Sequence, residues 1–206
     1  MNEQHRTISN LGGYVVDLYD LARGIPVNLH SYMKFVTLRS LGRRTNAKCL
    51  IESGTYLGVT SARCAGAFAR VLTVELDIEL AKRATAYLSR YRNVEVFQGD
   101  AAKLMPGLIA RPDASDAVIF LDGHYSGGPT AHGEVPEPAL LELQILAPYR
   151  DRICGIVIDD FRLFGEETGF PKKSELVATA EELFPFPQFT HKAHADQFIV
   201  ERNRTS

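Results

Sequence analysis

The sequence predicts a doubly wound α/β domain with a mostly parallel sheet and helices on both faces. Three observations support this. From residue 48 onward, short apolar runs alternate with helical patterns, the order that builds parallel sheets. The first run, Cys49-Leu50-Ile51, ends in Glu52 and a turn with two glycines four residues apart, Gly54 and Gly58. Strand, glycine turn, helix is the phosphate- or nucleoside-binding opening of such domains. Two later runs, Ala117–Leu121 and Ile153–Ile158, are nearly unbroken in apolar character, as strands buried on both faces must be.

The elements follow in order. Residues 11 to 44 read as two helices that cap the domain, within an N-terminal segment 1–46. Pro26 and Asn28 open the second, and Leu29, Tyr32, Met33 and Val36 recur at helical spacing, a stripe suited to core or to the surface of a homodimer. After Gly58, Thr60 and Ser61 are placed to cap a helix continued by Ala62, Ala65, Ala67 and Phe68. Val71–Val74 and Val94–Phe97 are the next strands, and the charge of Glu95 suits the second of these to a sheet edge. Helices are expected over Ile78–Arg90, Pro138–Leu146 and about Ser174–Phe184. Gln188–His191 and Gln197–Val200 read as a closing hairpin. The whole chain, 1–206, forms one domain.

Composition narrows the function. With 45% hydrophobic and 23% charged residues and a net charge of −2, the chain has no general attraction to nucleic acid or anionic membranes. A small-molecule substrate is favoured. Cys49, Cys64 and Cys154 are widely spaced and read as buried core thiols in a reducing compartment. The absence of a signal-like h-region or a membrane-length apolar run points to the cytoplasm.

The turn itself selects a ligand. A dinucleotide fingerprint needs a second glycine where the pyrophosphate touches the backbone; counting from Gly54, Tyr56 stands there. No Gly-Lys-Ser/Thr follows, so a nucleoside without a diphosphate is the better ligand. The stretch Glu52-x-Gly54-Thr-Tyr56-x-Gly58-x-x-Ser61 resembles the first motif of class I S-adenosylmethionine methyltransferases, most closely the catechol O-methyltransferase group. The resemblance implies a Rossmann-like, seven-stranded sheet of order 3-2-1-4-5-7-6 with an antiparallel C-terminal pair. It also implies that the turn holds the methionine part of S-adenosyl-L-methionine.

Glu75 ends the second strand about twenty residues past the turn, where an acid accepts from ribose hydroxyls; Asp77 is the better cap for the following helix. Asp100, with Ala101, follows the third strand, and the resemblance sets this turn beside the adenine, although Asp100 also suits an N-cap. Asp122 ends the fourth strand and Asp159-Asp160 the fifth. Three carboxylates on one rim repel, and oxygen ligands favour a hard ion, magnesium first; three separate caps is the plainer reading. The resemblance implies magnesium at this trio, as in catechol and macrolide-sugar O-methyltransferases.

The loop from Asp122 to His132 departs from the catechol enzymes, whose lysine base would fall at Tyr125. His124 is the nearby group with a pKa close to neutrality, and Gly123, Gly127, Gly128 and Gly133 suit a mobile cover. His124 is therefore the expected base, Tyr125 a hydrogen-bond donor, and a sugar or phenol hydroxyl the acceptor. His191-x-x-His194 lacks ligand companions and reads as surface. Two rivals remain: a nicotinamide-dependent reductase, which Tyr56 opposes, and a non-catalytic S-adenosylmethionine-binding protein, which would need no acid trio.

Overall fold

The computed structural model of the chain describes residues 31–123 and 138–203. The first predicted helix, the Pro26 and Asn28 start of the second, and the loop residues His124, Tyr125, Gly127, Gly128 and Gly133 lie outside the described residues. Seven strands form one sheet: β1 (Cys49–Ser53), β2 (Arg70–Glu75), β3 (Val94–Gln98), β4 (Ala117–Leu121), β5 (Ile153–Ile158), β6 (Phe189–His194) and β7 (Gln197–Arg202). Their order is β3-β2-β1-β4-β5-β7-β6. Only β7 runs against the others. Sheet order, edge position of β3 and closing hairpin all follow the expectation from sequence.

Among the described residues the α-helices are α1 (Ser31–Thr45), α2 (Val59–Cys64), α3 (Ile78–Leu88), α4 (Ala101–Ile109), α5 (Ala139–Leu146) and α6 (Lys173–Leu183). Strand alternation divides the apolar side chains between two faces. Cys49 and Ile51 of β1 face the core built with Met105, Ile109, Leu143 and Leu176, from α4, α5 and α6. Leu50 faces the other way, toward Leu38 and Leu41 of α1 and Cys64 of α2. All three cysteines are buried free thiols, and burial pushes that of Cys49 up to about 12. Among the described residues no helix is long and apolar enough to cross a membrane.

Of the stripe expected as core or dimer surface, Leu29 and the Tyr32 side chain lie outside the described residues. Val36 is 38% exposed, whereas Leu38 and Leu41 are fully buried. Two glycines let this helix lie close to its neighbours. A Cβ on Gly155 of β5 would stand 2.9 Å from Leu41 Cδ2, and one on Gly42 would stand 2.8 Å from the Phe68 ring. At its C-terminal end Arg44 grips Glu201 of β7 through two bonds of 2.7 and 2.9 Å.

The start of α2 also differs. Its N-cap is Gly58 itself, in the left-handed region, with no side-chain cap. The helix ends at Cys64, short of Ala65, Ala67 and Phe68. By contrast α3 is capped as expected, Asp77 accepting from the amides of Glu79 and Leu80 at 2.8 Å each. At the sheet edge Glu95 is answered by Arg70 and Arg111, a charged guard against further strand pairing. His194 is exposed on the opposite edge strand, and His191 stacks on Phe198 at 6.3 Å.

Candidate active site

The site lies along the C-terminal ends of β2, β1, β4 and β5, where ligands bind in open α/β sheets. The β1 turn is pinned from both sides. Gly54 and Thr55 donate to Val74 O at 3.0 Å each, and Asp122 donates to Ser53 O at 3.1 Å. Gly54 has φ +86°, and a Cβ there would stand 2.2 Å from Asp122 O. The neighbouring strand end therefore requires glycine here, whatever the turn binds. Gly58, at φ +77°, similarly makes room for Leu88, whose Cδ1 would be 2.8 Å from a Cβ.

Tyr56 sits at φ +49° with its side chain on the surface, 54% exposed. That left-handed conformation is costly for a bulky residue. It aims the Tyr56 amide at Glu75, to which it donates at 2.6 Å. Glu75 also accepts from Asp77 at 3.0 Å, and burial raises its carboxyl above the ordinary range. A carboxylate has about four acceptor positions, so Glu75 keeps capacity for a ribose hydroxyl. Asp100 caps α4, accepting from Ala102 at 3.0 Å, and remains half-exposed beside Ala101.

Glu52 and Ser61, both expected at the cofactor, instead meet each other inside the fold. The Ser61 hydroxyl donates to Glu52 Oε2, and Thr73 donates to the same oxygen at 2.7 Å. A hydroxyl has one proton, so Thr55, 2.6 Å from Thr73 Oγ1, must donate to it. Ser61 is thus a tie between α2 and β1 rather than a cap. Burial pushes the Glu52 carboxyl up to about 7, against the pull of its two hydroxyl donors.

The acids after β4 and β5 converge as expected. Ligand atoms of Asp122, Asp159 and Asp160 lie within 4.8 Å of one another. Sequence reasoning missed the groups that hold them. Lys34 of α1 places its ammonium 2.7 Å from Asp122 Oδ2 and 2.7 Å from Asp159 Oδ2. Burial alone would lower the Lys34 pKa, but Asp122 and then Asp159 outweigh it and hold the ammonium protonated well above its ordinary value. Burial raises the Asp159 carboxyl, and Lys34 opposes that rise. Gln197, fully buried at the start of β7, donates to Asp159 Oδ1 at 3.0 Å.

Asp160, in the left-handed region at φ +50°, is met by Arg162 at 2.5 Å. Arg162 also pairs with Asp196, whose Oδ1 accepts from the Arg162 amide at 2.7 Å. Asp196 and Ala195 make the β6–β7 turn, both at positive φ, as a tight two-residue hairpin requires. The C-terminal hairpin thereby fixes the loop that bears the acids. One signal for Lys34 was present in the sequence: it falls four and seven residues before Leu38 and Leu41, on one helical face. The expected base His124 and donor Tyr125 lie outside the described residues.

No protein-family model matches the sequence, and no curated protein matches it. Solved structures do. An O-methyltransferase from Bacillus cereus, in complex with S-adenosylhomocysteine, is 18% identical with a TM-score of 0.61, covering 93% of this chain and 90% of that one. TomG of Streptomyces achromogenes, an O-methyltransferase involved in tomaymycin synthesis and solved with S-adenosylmethionine, is 18% identical at 0.60, covering 98% and 99%. The S-adenosylhomocysteine-bound methyltransferase PaMTH1 of Podospora anserina is 12% identical at 0.59, covering 83% and 78%. The fold is that of the class I S-adenosylmethionine-dependent methyltransferases. In this methyltransferase fold the turn after β1 and the acid rim of β4 and β5 are neighbours, joined here through Gly54 and Asp122.

Proposed function

We propose that the chain is an S-adenosylmethionine-dependent methyltransferase acting on a hydroxyl of a small molecule, a sugar or a phenol. The observation that supports it most is the packing of Gly54 against the Asp122 backbone. It makes one site of the nucleoside-type turn and the carboxylate rim. S-adenosylmethionine, when bound, supplies an electrophilic methyl group on sulfur. Glu75 would accept from the ribose hydroxyls, Asp100 and Ala101 would border the adenine, and Tyr56 and Gly58 would shape the turn beside the methionine part.

Holding the acceptor oxygen in line with the methyl donor is the main task, since positioning alone supplies a large share of the barrier reduction. The O–C bond forms as the S–C bond breaks, and the hydroxyl proton leaves to a base. His124, two residues beyond Asp122, is the base we assign, with Tyr125 as a donor. Asp122, Asp159 and Asp160 alone would suit magnesium. An ion shared by Asp122 Oδ2 and Asp159 Oδ2 would compete with the Lys34 ammonium, which already lies 2.7 Å from both, so the set as it stands does not suit a divalent ion.

The cofactor assignment is tested at Glu75. Glu75→Ala should weaken S-adenosylhomocysteine binding tenfold or more, on the order of 1.4 kcal/mol, in calorimetry on the folded variant. Unchanged affinity would remove Glu75 from the ribose.

A further inference from the structure

Lysine on a surface helix ordinarily runs its stem along the protein and keeps its ammonium in water. Lys34 does the reverse. It shares a face of α1 with the fully buried Leu38 and Leu41, and its side chain is only 16% exposed. The helix is seated by Gly155 beneath Leu41 at one point and by Arg44 on Glu201 at another. Seated this way, it delivers the ammonium over the C-terminal ends of β4 and β5. There the nitrogen lies 2.7 Å from Asp122 Oδ2 and from Asp159 Oδ2 and 5.8 Å from the Phe120 ring centroid. The Asp159 side chain is 1% exposed and is held on its other oxygen by Gln197.

We propose that Lys34 is the resident cation of this site: its ammonium takes the place between Asp122 and Asp159 that a divalent ion would take, so the chain needs none. A divalent ion enters only when Lys34 is removed. An ammonium has three donors; one is hydrogen-bonded to Asp122 Oδ2, whereas Asp159 Oδ2 at 2.7 Å is held as an ion pair. A donor not bonded to Asp122 would meet the oxygen of a methyl acceptor; this last step rests on the methyltransferase reading, whereas the cation assignment does not.

Manganese, followed by electron paramagnetic resonance and by thermal shift, is the probe. The native protein should show no stoichiometric Mn2+ binding and no change of Tm with Mn2+ or EDTA. Lys34→Met should bind one Mn2+ at least tenfold more tightly than the native chain, with a Tm that rises on adding the ion. Asp159→Asn in the Lys34→Met background should abolish that gain. A merely structural lysine would lower Tm on removal without creating an ion site. One Mn2+ per native chain, lost in Asp159→Asn, would overturn the proposal, as would a folded Lys34→Met that binds no more tightly than the native chain. If Lys34→Met does not fold, the native titration decides alone. S-adenosylhomocysteine binding by the same native sample in EDTA is scored separately; its failure overturns the methyltransferase reading and leaves the manganese result standing.

Discussion

Gly54→Ala should lower the stability of the chain by about 3 kcal/mol or more, the sum of a left-handed backbone penalty and an overpacked contact. Residue 54 has φ +86°, and the new Cβ would stand 2.2 Å from Asp122 O and 2.7 Å from Asp122 C. These are backbone atoms, so relief requires moving the end of β4, not turning a side chain. In a domain of this size the loss corresponds to a fall in Tm of roughly 10 °C. The natural control is Gly107, exposed within α4, where a Cβ meets nothing within 4 Å. Gly107→Ala should raise stability by roughly 0.5–1 kcal/mol, because alanine restricts the unfolded chain more than glycine. Urea unfolding of the two variants checks both; equal stability of Gly54→Ala and Gly107→Ala would remove the close approach of β1 and β4.

The second large effect concerns Glu52 and is pH-dependent. Burial raises its carboxyl from an ordinary 4.5 to about 7. Between those values the folded chain keeps a proton that the unfolded chain has released. Stability should therefore fall as pH rises through this window, by on the order of 3 kcal/mol. Glu52→Gln keeps an acceptor for Ser61 and Thr73 but cannot ionise. It should match the native chain near pH 4.5, lose the slope between pH 4.5 and 7, and be the more stable protein at pH 8. Urea midpoints at several pH values read this directly. A glutamine variant less stable than the native chain at pH 8 would mean that Glu52 is ionised and held so by its hydroxyl donors.

The parts legible in the sequence were those set by local pattern. Apolar runs located the strands, the charge on Glu95 marked an edge, and strand-end acids converged because adjacent parallel strands end on one rim. What escaped was set by partners distant in the chain. Nothing local reveals that Asp122 stands behind Gly54. Glu52 and Ser61 looked like cofactor residues because they flank the turn, yet they are bonded to each other and to Thr73. Lys34 stands 88 residues from Asp122, and only its place on the Leu38–Leu41 face hinted that it turns inward. Gln197 and Asp196 belong to a hairpin whose tie to the acids is entirely tertiary.

Calorimetric titration of the native chain tests a nucleoside site over β1 and β2 most directly. In EDTA, S-adenosylhomocysteine should bind at one site per chain, and NAD, whose pyrophosphate has no glycine to approach at Tyr56, should give no heat. Binding of NAD with none of S-adenosylhomocysteine would contradict it.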